Sequence, residues 1–561
     1  MAELVLGPLL RAVEGDAATV WVATDQPCEV TVTAGRARGR ARTTTVGGAC
    51  YALVVVEDLP PATSTPYAVA LDGDPVWPLA GADLPPSTIR TADPGRPLRV
   101  VVGSCRVDAP MEAPWDLPPA AADRGQGVDA LEALAQRLAL VDPVDHPDLL
   151  ALLGDQLYAD EVLVGDIAVR TPGPGGPPPR SAADLADYED LYRRSWSHPH
   201  VRWLLSTVPS VMAFDDHDVI DDWNLSQAWL DEIDRAPWWD ARISSALVSY
   251  WVHQHWGNLT PSQQADDPLA GAVAGAADAT DLLRGEVDGW RLDRAAPTRT
   301  RWSTTRDLAG SATARLVGVD SRNRRVLDEG ARALLDADEM AWVGERARAD
   351  RDGIDHLLLG TSLPWLLPPA VHDLERWGAA LASGAWGRPG RHLAERLRRD
   401  RDLEHWASFG DSFDDLAELL ASIASGEQGP APSSVLVLSG DVHFSYLAPA
   451  DLGVDGGSRV VQVVSSPLRN GVPTNLQRVL RLTTSRLGAW LGRVGERTAA
   501  HREERVDWAL SAGPWFGNVV TTLTLDGATA SVRVEQARQD HEGRPDLVTV
   551  HEERLAGPPT A

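Results

Sequence analysis

Four apolar runs end in side chains able to bind a metal ion or move a proton. VVVGSC stops at Cys105, LLALLGD at Asp155, and VMAFDDH at Asp215, Asp216 and His217. VLVLSGD stops at Asp441, with His443 two residues on. In open α/β sheets, ligands bind beyond the carboxyl ends of strands. Four such endings gathered at one edge form a candidate metal or catalytic constellation. Tyr158 follows Asp155 by three residues, one turn if the segment is helical, so the two oxygens can converge. A phenolate there suits a hard, highly charged ion such as ferric iron. Three carboxylates within Asp215-Asp216-His217-Asp218 cannot be buried without cations or hydrogen bonds. On an extended strand, Asp441 and His443 point to the same side. Each motif also has a plainer reading: Asp155 as a helix cap, Cys105 as a buried apolar thiol, and the acidic stretch as a solvated loop. His198, His200, His253 and His255 lie among tryptophan-rich helical segments and read as packing or surface histidines. The chain has no G-x-S-x-G elbow, Walker A loop, H-E-x-x-H or C-x-x-C pair.

The elements that must carry these residues follow from pattern. Residues 1 to about 95 read as all-β, with runs such as ATVWVATD (18–25) and YALVVVEDL (51–59) separated by turns, as in a small immunoglobulin- or fibronectin-like sandwich. TADPGRP (91–97) reads as a linker. From residue 98 to 555, short continuous apolar runs alternate with helical stretches, the pattern of an α/β fold whose strands are buried on both faces. These runs include LRVVVGSC, LLALLGD, SVMAFDDH, ARLVGVD (314–320), HLLLGTS (356–362), SVLVLSGD and VVQVVSS (460–466). Helices are expected over 128–140 and 337–349, the second with Asp336 and Glu339 at capping-box spacing. Residues 518–536 read as two strands joined at an Asp-Gly turn. TPGPGGPPPR (171–180) has no regular structure, and residues 257–285, rich in Ala, Asp and Gly, read as a flexible surface excursion. Most of the 21 tryptophans are expected in the core.

Composition narrows the partners. The chain has 561 residues, 43% of them hydrophobic, enough for a sizeable core. A formal charge of −28 disfavours a broad nucleic-acid-binding surface. An anionic substrate would need local cations, and bound metal ions are one source. Three cysteines are too few for a disulfide framework. Cys28 and Cys50 read either as a pair or as buried free thiols. The N-terminal run is broken by Pro8 and Arg11, and no stretch reaches the roughly 18 apolar residues of a membrane span. A soluble, cytoplasmic protein is the default expectation, and oligomeric state is not readable.

At the motifs GSCR (103–106), GDQLYADE (154–161), FDDHDVIDDWN (214–224) and SGDVHFS (439–445), in that order, the chain resembles the PhoD-like alkaline phosphatases of the calcineurin-like metallophosphoesterase superfamily. GTSLPWLLP (360–368), VHDLERW (371–377), DLEHWASF (402–409) and SSPLRN (465–470) add to the resemblance, which covers essentially the whole chain. It implies a layered β-sandwich flanked by helices, preceded by the small all-β domain. It implies a ferric ion held by Cys105, Asp155, Tyr158 and His443, and one or two calcium ions held by Asp155, Asp216 and Asp441, with Asp215 an alternative to Asp216. Carboxylate-rich ligation suits calcium. Asn224, Asp160, Asp221 and Asp222 would complete the outer shell or hold a further ion, and Asn224 is also a candidate substrate-binding residue. The implied activity is hydrolysis of small-molecule phosphomonoesters or phosphodiesters by a metal-activated water. His217 is the candidate catalytic group for the leaving oxygen, and Arg106 a candidate phosphate contact or structural ion pair.

Two further readings use the same residues differently. One is a metal-independent Cys105/His217 hydrolase acting on acyl or amide bonds. The other is a non-enzymatic surface or carbohydrate-binding protein that uses the β-sandwich and exposed tryptophans.

Overall fold

The computed structural model describes residues 1–81, 83–292, 300–473, 477, 480 and 505–557. The apolar runs become central strands of two sheets. In the first, Ser210–Ala213, Leu149–Leu153 and Leu98–Gly103 run parallel, and Val519–Asp526, Thr529–Gln539 and Pro545–Ala556 extend the sheet antiparallel. In the second, Thr313–Val319, His356–Thr361, Ser434–Ser439 and Arg459–Val464 run parallel in that order. Thr304–Ala309 flanks one side; Ser445–Asp451 and Asp507–Trp508 flank the other.

The two sheets face each other, which explains why their strands are apolar on both sides. Val100, Val102, Leu149, Leu153, Leu316, Leu358, Leu436 and Leu438 interlock between the sheets. The alternate residues Val101, Leu150 and Leu152 pack against helices on one outer face. Val317, Leu357, Leu359, Val435 and Val437 do the same on the other. Strand pleating thus sends successive residues into different cores, and a polar residue is tolerated only where the strand ends.

The N-terminal region is all-β. Leu4–Glu14, Ala17–Thr24, Ala49–Val56 and Thr44–Val46 form one antiparallel sheet; Ala37–Arg42, Glu29–Ala34, Ser64–Leu71 and Asp74–Trp77 form another. Val20, Val22, Val30, Val32, Val54 and Val69 fill the space between them. Cys28 and Cys50 are buried free thiols, the second of the two readings.

The expected helices form at Ala130–Leu138 and Ala337–Arg348. Asp336 accepts from the Glu339 backbone, but the Glu339 side chain pairs with Arg301 instead of closing the capping box. The hairpin expected over 518–536 forms, turning at Asp526-Gly527. The stretch 257–285 is a correction: it folds into helices Pro261–Asp266, Pro268–Gly275 and Thr280–Leu292 rather than an irregular excursion. Thr260 and Asp267 cap the first two, each ahead of a proline at the first helical position. Residues 171–180 carry no helix or strand. Trp223, Trp239, Trp251 and Trp256 are core residues. Among the described residues no helix is long and apolar enough to cross a membrane.

Candidate metal centre

Both sheets present the carboxyl ends of their parallel strands to one edge. The first sheet brings Cys105, Asp155 and Asp215 there; the second brings Asp441 and, from the end of Thr313–Val319, Arg322. Gly440 allows the two ends to meet. A Cβ on it would lie 2.1 Å from Ser104 Oγ and 2.6 Å from the Leu153 carbonyl, so a larger residue would push the sheets apart. Past the strands, Cys105, Asp222, Asn224, Asp441 and His443 all adopt left-handed backbone angles (φ 55° to 67°). Such angles cost energy for residues with a Cβ and collect where the surrounding structure imposes them. They also correct the expected geometry: Asp441 and His443 lie beyond the strand, which ends at Ser439, and the segment from Asp155 to Tyr158 is not helical.

The donors converge all the same. Ligand atoms of Cys105, Asp155 and His443 lie within 4.8 Å of one another, as do those of Asp155, Asp216 and His217, and those of Asp215, Asp216 and Asp441. Tyr158 Oη stands 3.0 Å from His443 Nε2, and its ring packs on His217 with centroids 4.5 Å apart. Among the described residues Cys105 Sγ makes hydrogen bonds with Ser104 Oγ (3.4 Å) and the Asp441 carbonyl (3.6 Å) and none with an imidazole. Burial, then Asp155, Asp441 and Asp215, drive the Cys105 thiol well above its usual pKa. Burial and Asp215 do the same to the carboxyl of Asp155. Both groups need a nearby cation to ionise.

His217 is held differently. Its Nδ1 lies 2.9 Å from Asp160 Oδ1, and Asp160 also accepts from the Asp221 backbone. Burial opposes charge on the ring, but Asp160, with Asp155 and Asp216 beyond it, holds the imidazolium well above its usual pKa. Asp218, which reads in sequence as part of the acidic stretch, turns inward and accepts from the backbones of Leu157 and Asp215 and from Gln254, tying three segments together.

Arg322 is the functional residue that the strand-end reading missed. Its Nε reaches Asp215 Oδ1 at 2.6 Å, and its Nη2 reaches Asp216 Oδ1 at 3.1 Å and Asp441 Oδ1 at 2.9 Å. Nη1 lies 2.5 Å from Glu404 Oε2, and the guanidinium is wholly buried. The same rule that singled out the other strands applies to ARLVGVD, which is followed two residues later by Arg322. His405 Nε2, 3.0 Å from Asp441 Oδ2, is oriented by Glu375 on its other nitrogen at 2.6 Å. Arg106 pairs with Asp129 (2.9 Å) and the Ser195 carbonyl (2.9 Å), the structural role. Asn224 donates to the Arg322 carbonyl at 2.7 Å and so props the arginine.

The residues present fit a metal ion. Asp155 Oδ1 and Asp215 Oδ2 are buried without a hydrogen-bond partner, a costly state that a cation would relieve. Thiol, imidazole, phenol and carboxylate around one point suit a transition ion, and the oxygen-only set of Asp215, Asp216 and Asp441 suits a harder one. Against the three carboxylates of that second set, Arg322 already supplies one positive charge.

Residues 126–269 match the family described as PhoD-like phosphatase, and residues 1–89 match a Domain of unknown function (DUF7800). A solved structure titled "Structure of PhoD" superposes with a TM-score of 0.58 at 12% identity, covering 99% of this chain and 91% of that one. A purple acid phosphatase, PPD1, from yellow lupin (Lupinus luteus) seeds is matched with a TM-score of 0.47 at 10% identity, covering 97% of this chain and 73% of that one. No curated protein matches the chain. The fold is thus a mixed α/β fold like that of PhoD, preceded by an all-β region.

Proposed function

We propose, from a PhoD-like phosphatase segment set within a PhoD-like fold, that this chain is a metal-dependent hydrolase of small-molecule phosphate esters, monoesters or diesters. The observation that carries the reading is the convergence of Cys105, Asp155 and His443, with Tyr158 on His443, beside the carboxylates of Asp215, Asp216 and Asp441. Cys105, Asp155, Tyr158 and His443 would hold a ferric ion, and Asp155, Asp216 and Asp441 one or two calcium ions. Metal ions bound there supply Lewis acidity toward phosphoryl oxygens and lower the pKa of a water molecule.

The chain's own residues do the rest. Asp160 fixes Nδ1 of His217 and keeps the ring protonated, and Nε2, 3.7 Å from Asp221 Oδ1, would give its proton to the departing oxygen. The Tyr158 ring holds that imidazole in place from one face. Arg322 neutralises part of the carboxylate charge that would otherwise repel an anionic substrate. Glu375 and His405 fix Asp441 from the outside.

Elemental analysis of the purified protein, joined to turnover of a panel of mono- and diesters, tests the reading. Iron with calcium is expected, together with a tyrosinate-to-iron absorption band that disappears in Tyr158→Phe. Asp155→Ala should lower phosphoester turnover by about 1,000-fold or more, since it removes a donor shared by both metal positions. Undiminished turnover in that variant would overturn the proposal.

A further inference from the structure

We propose that Glu132, His198 and His200 form a separate zinc-type site that bolts helix Ala130–Leu138 to the start of helix Pro199–Thr207. Their ligand atoms lie within 4.8 Å of one another, and none of the three belongs to the strand-end cluster. Glu132 sits in the first turn of its helix, where a glutamate normally faces water, yet it is only 2% exposed. A carboxylate buried to that degree requires positive charge or several donors. The one amide it receives is Gln136 Nε2, 2.8 Å from Oε1.

The two histidines flank Pro199, which opens the second helix. His198 occupies the N-cap position but makes no capping bond with its side chain. Instead its Nδ1 stands 2.8 Å from Glu132 Oε2, and His200 Nδ1 stands 2.7 Å from Oε1. At such distances a simple ion pair would form a directed hydrogen bond. Here His198 Nδ1 and Glu132 Oε2 are both buried without a hydrogen-bond partner, because the ring nitrogen does not aim at the oxygen. His198 and Glu132 crowd together without pointing at each other, as co-ligands of an ion between them do. Around one zinc, neighbouring donor atoms stand about 3 to 3.5 Å apart, close to the spacing already present. Two imidazoles and one carboxylate match zinc's preferred ligands, whereas calcium and magnesium take oxygen. The imidazoles are about one-third exposed (side chains 31% and 33%), which leaves solvent access for a fourth ligand.

The position suits a structural role. Three residues before Glu132, Asp129 caps the same helix and grips Arg106, whose backbone N–H bonds the Asp155 carbonyl at 3.1 Å. Zinc at Glu132 would therefore stiffen the helix that anchors the Cys105–Arg106 turn.

Equilibrium dialysis of the full chain against zinc, followed by elemental analysis, reads the site. The wild type should retain one more zinc than Glu132→Gln and than the double variant His198→Ala/His200→Ala. Zinc should raise the thermal midpoint of the wild type by several degrees more than that of either variant. Because none of these residues belongs to the strand-end cluster, the metals bound there should be the same in all three proteins. A zinc count identical in the wild type and the folded variants would overturn the proposal. If neither variant folds, a zinc-soaked wild-type crystal decides. An anomalous peak within about 2.5 Å of the three donors supports the site, and its absence sinks it.

Discussion

Arg11 and Arg322 are both wholly buried, one where the N-terminal strand Leu4–Glu14 meets the helical layer and the other at the strand-end edge. Arg11 faces no carboxylate in its hydrogen bonds. Its Nη1 reaches Met212 Sδ and the His253 carbonyl, and its Nη2 reaches the Gln254 carbonyl at 2.7 Å and Asn258 Oδ1 at 3.1 Å. These carbonyls lie at a π-helical turn, Trp251–His255, where widened backbone bonding turns carbonyls outward. Burial, reinforced by Arg306, lowers the pKa of the Arg11 guanidinium to about 9. Burial acts on Arg322 in the same direction, but Asp215, Asp216, Glu404 and Asp441 overcome it and raise its pKa well above the usual value. The same side chain is a geometric clamp in one place and a counter-charge in the other. Donors without opposing charge mark a joint between layers. Opposing charge in excess marks a place that still attracts cations.

The sharpest way to break that contrast is to remove each charge at constant bulk. Arg322→Met leaves four carboxylates facing one another, and breaking a buried charge pair costs about 3 to 5 kcal/mol. Urea unfolding in chelator should show a loss of that size, and phosphoester turnover should fall at least 100-fold. Added divalent cation should restore much of the stability. A variant as stable as wild type in chelator would mean that the cluster does not depend on the guanidinium.

Arg11→Met removes hydrogen bonds rather than a counter-charge, and it also removes the cost of burying a cation without an anion. The expected loss is smaller, about 1 to 3 kcal/mol from the orphaned carbonyls. No divalent cation should restore it, and turnover per folded molecule should stay unchanged. Recovery on adding metal would put the two arginines in one class.

The strand-end donors were legible in the sequence because a polar residue directly after a doubly buried strand has only the sheet edge to occupy. Cys105, Asp155, Asp215, Asp216, Asp441 and His443 all come together on that rule. Arg322 obeys it too, but a search for metal ligands passes over a cation. Glu404 and His405 arrive from a segment between helices, where no periodicity signals proximity. The left-handed angles at Cys105, Asp441 and His443 belong to the tertiary structure, so side-chain directions assumed from a regular strand did not apply. The helices after Thr260 and Asp267 carried readable signals, a capping residue followed by proline, which their Ala, Asp and Gly content obscured. His198 and His200 read as packing or surface histidines because their carboxylate partner lies far away in sequence, on another helix.

The smallest expected effect separates the two regions most cleanly, because the same methyl group is added to each. A Cβ on Gly39 would lie 2.1 Å from the Val55 carbonyl, inside the N-terminal sandwich; one on Gly440 would lie 2.1 Å from Ser104 Oγ, where the two sheets that carry the strand-end donors meet. Overpacking of this kind costs about 1 to 3 kcal/mol, so Gly39→Ala and Gly440→Ala should lose comparable stability. Their activities should diverge. Gly39→Ala strains a sheet that holds none of the donors, so turnover per folded molecule should remain at the wild-type level. Gly440→Ala must separate Ser104 from the residue preceding Asp441, moving donors of the two sheets apart. Because a misplacement near 1 Å at a reacting centre can cost about 100-fold, turnover should drop far more than stability does. Equal turnover in the two variants would show that the approach of the sheets at Gly440 does not set the spacing of the site.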